Sequence, residues 1–229
     1  MWDGSSDSAE DKAVQVWDAA TGQELMTYQG HSDWVYGLAW SPDGRTIASG
    51  SDDGTVQVWD AVRGKTLGTY RGEGIYYVHA LAWSPDGKRI ASSSGGEGMV
   101  YVWDATKGRI LMTYRGHGNS VEALAWSPDG RAIASGSDDG TVQVWDAAKG
   151  RPLGTYQGYT SGVDALAWSF DGRHIAFACS QDVQVWNAAT GQLLMSCRGN
   201  TGTVKSLTWS PDGRAIASGS LEVTIWLAE

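Results

Sequence analysis

Residues 121–158 read VEALAWSPDG RAIASGSDDG TVQVWDAAKG RPLGTYQG, four short pieces that each close on a glycine-containing turn pair. Each piece is apolar or alternates apolar with polar, the pattern of a strand buried on one or both faces. A tight hairpin needs positive φ, which glycine supplies without a steric penalty, so Asp-Gly and its relatives mark the turns. The stretch predicts four strands, a to d, at about 121–127, 131–137, 141–146 and 152–157. No segment of the chain carries the 3.6-residue period of an amphipathic helix.

The same unit recurs along the chain. Trp17, Trp59, Trp103, Trp145, Trp186 and Trp226 are spaced by 42, 44, 42, 41 and 40 residues, and Trp40, Trp83, Trp126, Trp168 and Trp209 by 43, 43, 42 and 41. These two registers hold 11 of the 13 tryptophans and leave only Trp2 and Trp34 outside. A fixed period of this length is the signature of a repeat architecture. The chain of 229 residues is therefore read as one all-β repeat domain over 1–229, with residues 1–12 either a degenerate strand b or a polar arm.

Composition narrows the function classes. The formal charge is −9, from 26 acidic and 17 basic side chains, which argues against a nucleic-acid partner because phosphates call for a basic face. No apolar run approaches the roughly 18 residues of a bilayer span and no signal-peptide pattern opens the chain, so no membrane partner is expected and a cytoplasmic location is. The 31 glycines lack a collagen period. Cys179 in strand b and Cys197 in strand d of one unit have strand c between them, so no disulfide is expected. Neither has metal-ligand spacing. The Asp52-Asp53-Gly54 and Asp138-Asp139-Gly140 stretches lack the ligand spacing of an EF-hand and are read as turns. No metal or cofactor is expected.

Trp-Asp pairs at 17–18, 59–60, 103–104 and 145–146, Gly-His pairs at 30–31 and 116–117, and Ser-Pro-Asp-Gly at 41–44, 84–87, 127–130 and 210–213 resemble the WD40 repeat family over nearly the whole chain. Trp186-Asn187 and Trp226-Leu227 are degenerate versions, and the near-identical units resemble bacterial-type members most. The resemblance implies a β-propeller of four-stranded antiparallel blades with strand a innermost. It also implies a buried hydrogen-bond tetrad on His31, Ser49, Asp53 and Trp59, and another on His117, Ser135, Asp139 and Trp145. Ser, His and Asp together suggest a hydrolase triad, but a set that recurs at repeat spacing with a Trp partner reads as a structural tie, and no enzyme activity is expected. Glu73, Tyr159 and Asn200 replace the histidine in other units, and Phe177 replaces the serine. Those blades are expected to rely on apolar packing.

Five a strands, five b, six c and five d can be counted, so the chain starts near strand c of one unit and stops after strand c of another. Two readings follow. In one, five blades form a ring, with the last blade built from the C-terminal a, b and c and the N-terminal d. In the other, an open arc is completed by another chain, as a homo-oligomer or as a segment of a larger protein of this family.

Comparison of the units shows where function could lie. Framework positions barely change, whereas the start of strand a varies: Trp34, Tyr77, Ser120, Gly162 and Thr203 occupy one aligned position, and Tyr36, His79, Glu122, Asp164 and Lys205 another. The d–a loops vary too. Trp34, Tyr36, Tyr76, Tyr77, His79 and Tyr159 make an aromatic arc, with Glu122 and Asp164 an acidic one beside it and Lys205 at its end. The resemblance implies that protein partners bind this face. A self-assembling structural module is the alternative, and glycan or small-ligand binding a third.

Overall fold

The structure, a computed structural model, describes residues 12–157 and 161–227. The expectations for residues 1–11, Trp2 and Tyr159 lie outside the described residues. Among the described residues there is no α-helix, and none long and apolar enough to cross a membrane.

The strands fall into six antiparallel sheets. An N-terminal pair, β1 (Val14–Trp17) and β2 (Glu24–Tyr28), comes first. Blade one is β3 (Val35–Trp40), β4 (Thr46–Ser51), β5 (Val56–Asp60) and β6 (Thr66–Tyr70). Blade two is β7 (Leu81–Trp83), β8 (Arg89–Ser94), β9 (Met99–Asp104) and β10 (Ile110–Arg115). Blade three is β11 (Val121–Trp126), β12 (Ala132–Ser137), β13 (Thr141–Asp146) and β14 (Pro152–Gln157). Blade four is β15 (Val163–Trp168), β16 (His174–Cys179), β17 (Asp182–Asn187) and β18 (Leu193–Cys197). The C-terminal sheet has three strands, β19 (Ser206–Trp209), β20 (Ala215–Gly219) and β21 (Val223–Leu227).

Local chemistry explains the repetition. In the Ser-Pro-Asp-Gly turn, the Ser41 hydroxyl donates to Asp43 at 2.6 Å and accepts from the Thr46 N–H at 3.0 Å, while Gly44 takes φ +67°. The aspartate of each Trp-Asp pair caps the following turn: Asp60 Oδ1 accepts from the N–H groups of Val62 and Arg63 at 3.0 and 2.7 Å. Asn187 caps its turn in the same way, from Ala189 and Thr190, which is why that degenerate pair costs the fold little. The b–c turn shortened at 180–181 instead puts Ser180 at φ +56°, a left-handed conformation that usually falls to glycine.

Packing runs from each blade to the next. The d-strand tyrosine of one unit stacks on the c-strand tryptophan of the next: Tyr28 on Trp59 at 4.4 Å and 9°, and Tyr114 on Trp145 at 4.7 Å and 2°. Tyr70 and Tyr156 repeat this with Trp103 and Trp186. Three a-strand tryptophans tie neighbours by hydrogen bonds, since the indole N–H groups of Trp83, Trp126 and Trp209 donate to the carbonyls of Ala39, Ala82 and Ala167 at 3.1, 3.1 and 3.2 Å, while the Trp168 N–H has no partner. The two tryptophan registers are therefore two kinds of blade-to-blade junction. Small residues make room for them: a Cβ on Gly37 would stand 3.1 Å from Leu81 Cβ, and one on Gly50 would meet the Val78 side chain at 2.5 Å.

The shared terminal blade expected of a ring is not formed. β2 pairs with β1, and β21 pairs only with β20, so the two terminal sheets stay separate among the described residues. The reason lies in packing: Val14, Val16 and Tyr28 bury together against Ile47 and Trp59 of blade one, which holds β1 and β2 together.

Candidate partner-binding edge

Two sets of residues singled out in the sequence meet very different environments. The first is the tie inside the blades. His31 Nδ1 donates to Asp53 Oδ2 at 2.9 Å, since a carboxylate can only accept, and Nε2 lies 2.7 Å from Ser49 Oγ. The Trp59 indole donates to the same Ser49 oxygen at 3.1 Å. Burial would raise the Asp53 pKa, but hydrogen bonds from Thr55, His31 and Ser32 outweigh it and hold the carboxyl below the usual range. Ser49 is fully buried and its oxygen is occupied by an indole N–H, so this Ser-His-Asp set presents no nucleophile to a substrate.

The second tie is incomplete. His117 reaches Asp139 at 3.0 Å and Ser135 at 2.8 Å, but the Trp145 indole N–H has no hydrogen-bond partner. Other units improvise. Trp103 donates to Ser92 at 2.8 Å without a histidine, and Trp186 donates to Gln184 at 2.9 Å where Phe177 has replaced the serine. In the C-terminal sheet Asn200 stands in for histidine: the Ser218 hydroxyl donates to Asn200 Oδ1 at 2.8 Å and Trp226 donates to Ser218 at 3.0 Å. That unit keeps a polar tie, although more apolar packing than tie is expected of it.

The variable residues lie at one edge, and the backbone puts them there. Tyr36, Glu122 and Asp164 are each the extra residue of a β-bulge, where strand a slips against strand b between Val35 and Gly37, Val121 and Ala123, and Val163 and Ala165. A bulge bends its strand and re-aims one side chain. His79 holds the aligned place in blade two just before β7, with its N–H and that of Ala80 both donating to Ser93 Oγ. Lys205 precedes β19 and donates its N–H to the Gly219 carbonyl.

The aligned side chains then touch from blade to blade. Trp34 stacks on Tyr36 at 6.4 Å between ring centres, and Tyr36 lies 4.7 Å from the His79 ring. Tyr77 stacks on the same imidazole at 4.8 Å. His79 Nδ1 donates to Glu122 Oε2 at 3.0 Å, and Nε2 is 3.3 Å from Asp52 Oδ1, so one ring links blades one, two and three. Farther along, the Lys205 ammonium donates to Asp164 Oδ1 at 2.5 Å. Tyr76 is exposed on the loop and joins none of these pairs.

The lengthened b–c turn of blade two has a purpose here. Gly95 lies directly beneath the Tyr77 ring, where any Cβ would clash at 1.8 Å, and its N–H donates to the Tyr77 carbonyl. Tyr77 is thus a half-buried prop for His79, whereas Trp34 and Tyr36 are 38% and 51% exposed.

Asp52 and Asp138 belong to this edge, although the sequence marks them only as turn residues. Burial raises the pKa of both carboxyls; His79 opposes the shift at Asp52, whereas Glu122 and Asp164 add to it at Asp138. The hydrogen bond to Glu122 raises the His79 pKa above 6.5 against an opposing burial effect, with the charges of Glu122 and Asp52 adding to it. Only the repeat alignment, which sets the b–c turn beside the start of strand a, could have pointed to this pairing. Among the described residues no three metal-ligating side chains converge.

Comparison with known proteins agrees with this architecture. The family described as WD domain, G-beta repeat matches residues 22–60, 64–104 and 108–146, and the anaphase-promoting complex subunit 4 WD40 domain family matches 154–212. Mouse (Mus musculus) coronin-7 is 48% identical over 42 residues, covering 18% of this chain and 5% of its own length. Nuclear distribution protein PAC1 of Mycosarcoma maydis is 46% identical over 41 residues, covering 18% of this chain and 9% of its own. PAC1 of Coccidioides posadasii is 47% identical over 45 residues, covering 20% and 10%. Each of these matches is about one unit long, so the chain spans a tenth or less of these relatives. The repeat matches cover more than half of the chain, each running from a strand d through strands a, b and c of the next blade: it belongs to the WD40 repeat family.

Proposed function

We propose that the protein is a non-enzymatic interaction scaffold that binds protein partners through the d–a loop edge. The observation that carries this reading is the contact series Trp34–Tyr36–His79–Glu122 across three blades, formed from positions that vary while the framework around them repeats. Exposed, mutually stacked aromatics are the usual anchors of an interface. Asp52, Glu122, Asp138 and Asp164 lie beside them against one histidine and one lysine, so the favoured partner segment is cationic, with an apolar or aromatic side chain next to its charge.

The test is an array of short peptides that differ in net charge and aromatic content, probed with the full chain. Cationic peptides should be retained, and the Trp34→Ala/Tyr36→Ala double variant should lose them. Tyr77→Ala is a poorer probe because Tyr77 props His79 over Gly95. Retention of acidic peptides, or equal retention by the double variant, would overturn the reading. A second reading, self-assembly, is favoured by the two uncovered ends of the arc.

A further inference from the structure

The ends of the arc carry the two halves of a junction that the chain builds repeatedly inside itself. At each internal junction, Leu and Trp of strand a lie on small residues of the preceding blade, as Leu81 and Trp83 do on Gly37 and Ala39. At the N-terminal end this same face is bare. Leu38 and Trp40 are each 52% exposed, whereas Leu81, Leu166, Trp126 and Trp209 are 5–8% exposed. Trp17, equivalent to the fully buried Trp59, Trp103 and Trp145, is 54% exposed beside them. Val14, Val16, Trp17, Leu38, Trp40 and Ile47 line the groove that results.

What the groove lacks is an inner strand pair. The N-terminal sheet has strands c and d, β1 and β2, but among the described residues no a or b. The C-terminal sheet has the complementary pair in β19 and β20. Ser206, Thr208, Ala217 and Gly219 there align with Gly37, Ala39, Ala48 and Gly50 of blade one. Its third strand is paired to β20 but has no following blade over its outer face, so Val223 and Ile225 are 76% and 68% exposed where Val56 and Val58 are 0% and 3%. One chain does not join its own two ends, since no strand pairing and no core cluster links them among the described residues.

We propose that a second copy of this chain fills the groove: β19 and β20 of one copy complete a four-stranded blade with β1 and β2 of the next, joining chains end to end. Leu38 then packs on Ser206, and the Trp40 indole donates to the Thr208 carbonyl, as three of its four counterparts do inside the chain. Trp17 gains the cover of blade four, against Met195 and Cys197, where Trp226 now sits. A blade has room for one third strand. β1, already packed against Ile47 and Trp59 of blade one in its own chain, keeps that place, and β21, which no blade follows, yields it. This inference rests on the ends of the arc and stands apart from the loop-edge reading.

The test mixes two separately made full-length variants, Leu38→Cys and Ser206→Cys, under mild oxidation. The matching internal pair sets Leu81 Cβ 3.1 Å from a Cβ placed on Gly37, close enough for a disulfide after a small shift. A disulfide-linked species at twice the chain mass of 24.5 kDa, formed by the mixture but by neither variant alone, is the expected result. By light scattering, the unsubstituted chain should show multiples of that mass, and Trp40→Asp, a change at an exposed residue, should return it to the single-chain value. An unlinked mixture with a single-chain mass would overturn the proposal. So would a disulfide that forms only within one chain carrying both cysteines, because that outcome shows a ring closed on itself.

Discussion

The c-strand tryptophan and the a-strand bulge residue belong to the same repeat, yet they live under opposite constraints. Trp59, Trp103 and Trp145 are fully buried, and each stacks on a tyrosine of the preceding unit. Tyr36, His79, Glu122, Asp164 and Lys205 are partly or fully exposed at the blade edge, and their side chains meet one another and nearby loops. A residue that must fill a close-packed junction can hardly change without leaving a void. A residue delivered to an open edge by a bulge can change freely, because the ladder around it does not depend on its identity. The units therefore repeat where the fold is made and diverge at the open edge.

Breaking the buried side of this comparison should have the largest effect. Trp103→Ala removes a fully buried ring from the junction of blades one and two and is expected to cost about 3–5 kcal/mol, measured by urea unfolding. The polar tie is next. Ser49→Ala strands the Trp59 N–H and one nitrogen of His31, at an expected cost of about 1–3 kcal/mol. Ser135→Ala should cost less than Ser49→Ala, because Trp145 makes no hydrogen bond to lose. Equal costs in the two blades would show that the indole link contributes nothing.

The histidines sharpen the comparison by pH. Burial lowers the pKa of His117, and the hydrogen bond to Glu122 raises that of His79. NMR titration should place their midpoints on opposite sides of 6.5, and Glu122→Gln should bring the His79 midpoint down. The stability effects have opposite signs. The His79 contribution is fully present below the unfolded value of 6.5 and fades as pH rises through its higher folded pKa. For His117, stability falls as pH drops from 6.5 through its lower folded pKa, because the unfolded chain binds the proton more readily. The smallest effect on stability belongs to Trp34→Ala/Tyr36→Ala, within about 0.5 kcal/mol of the parent because both rings are exposed.

Much of the fold was legible in the sequence because repeat spacing and turn chemistry are local signals. The strands read at 121–127, 131–137, 141–146 and 152–157 appear as Val121–Trp126, Ala132–Ser137, Thr141–Asp146 and Pro152–Gln157. The edge was legible only as variation. Its geometry was not, because a bulge is a property of the register between two strands, and the alternation in VEALAW reads the same with or without one. The contacts of His79 were hidden for another reason: Asp52 and Glu122 lie 27 and 43 residues away in other blades. Composition could not reveal the exposure of Trp17 and Trp40 either, since they look like every other tryptophan of their registers until the described residues are seen to place no strand a or b beside them.

If framework and edge are separable, paired measurements on one set of variants should come apart. Affinity for a cationic, aromatic peptide, read by fluorescence anisotropy, is compared with the melting temperature for Trp34→Ala/Tyr36→Ala and for Ser49→Ala. The edge variant should lose the peptide while melting like the parent, and the framework variant should melt lower while still binding at temperatures where it is folded. Peptide binding that survives in the edge variant, or that falls in both variants in step with stability, would contradict that separation.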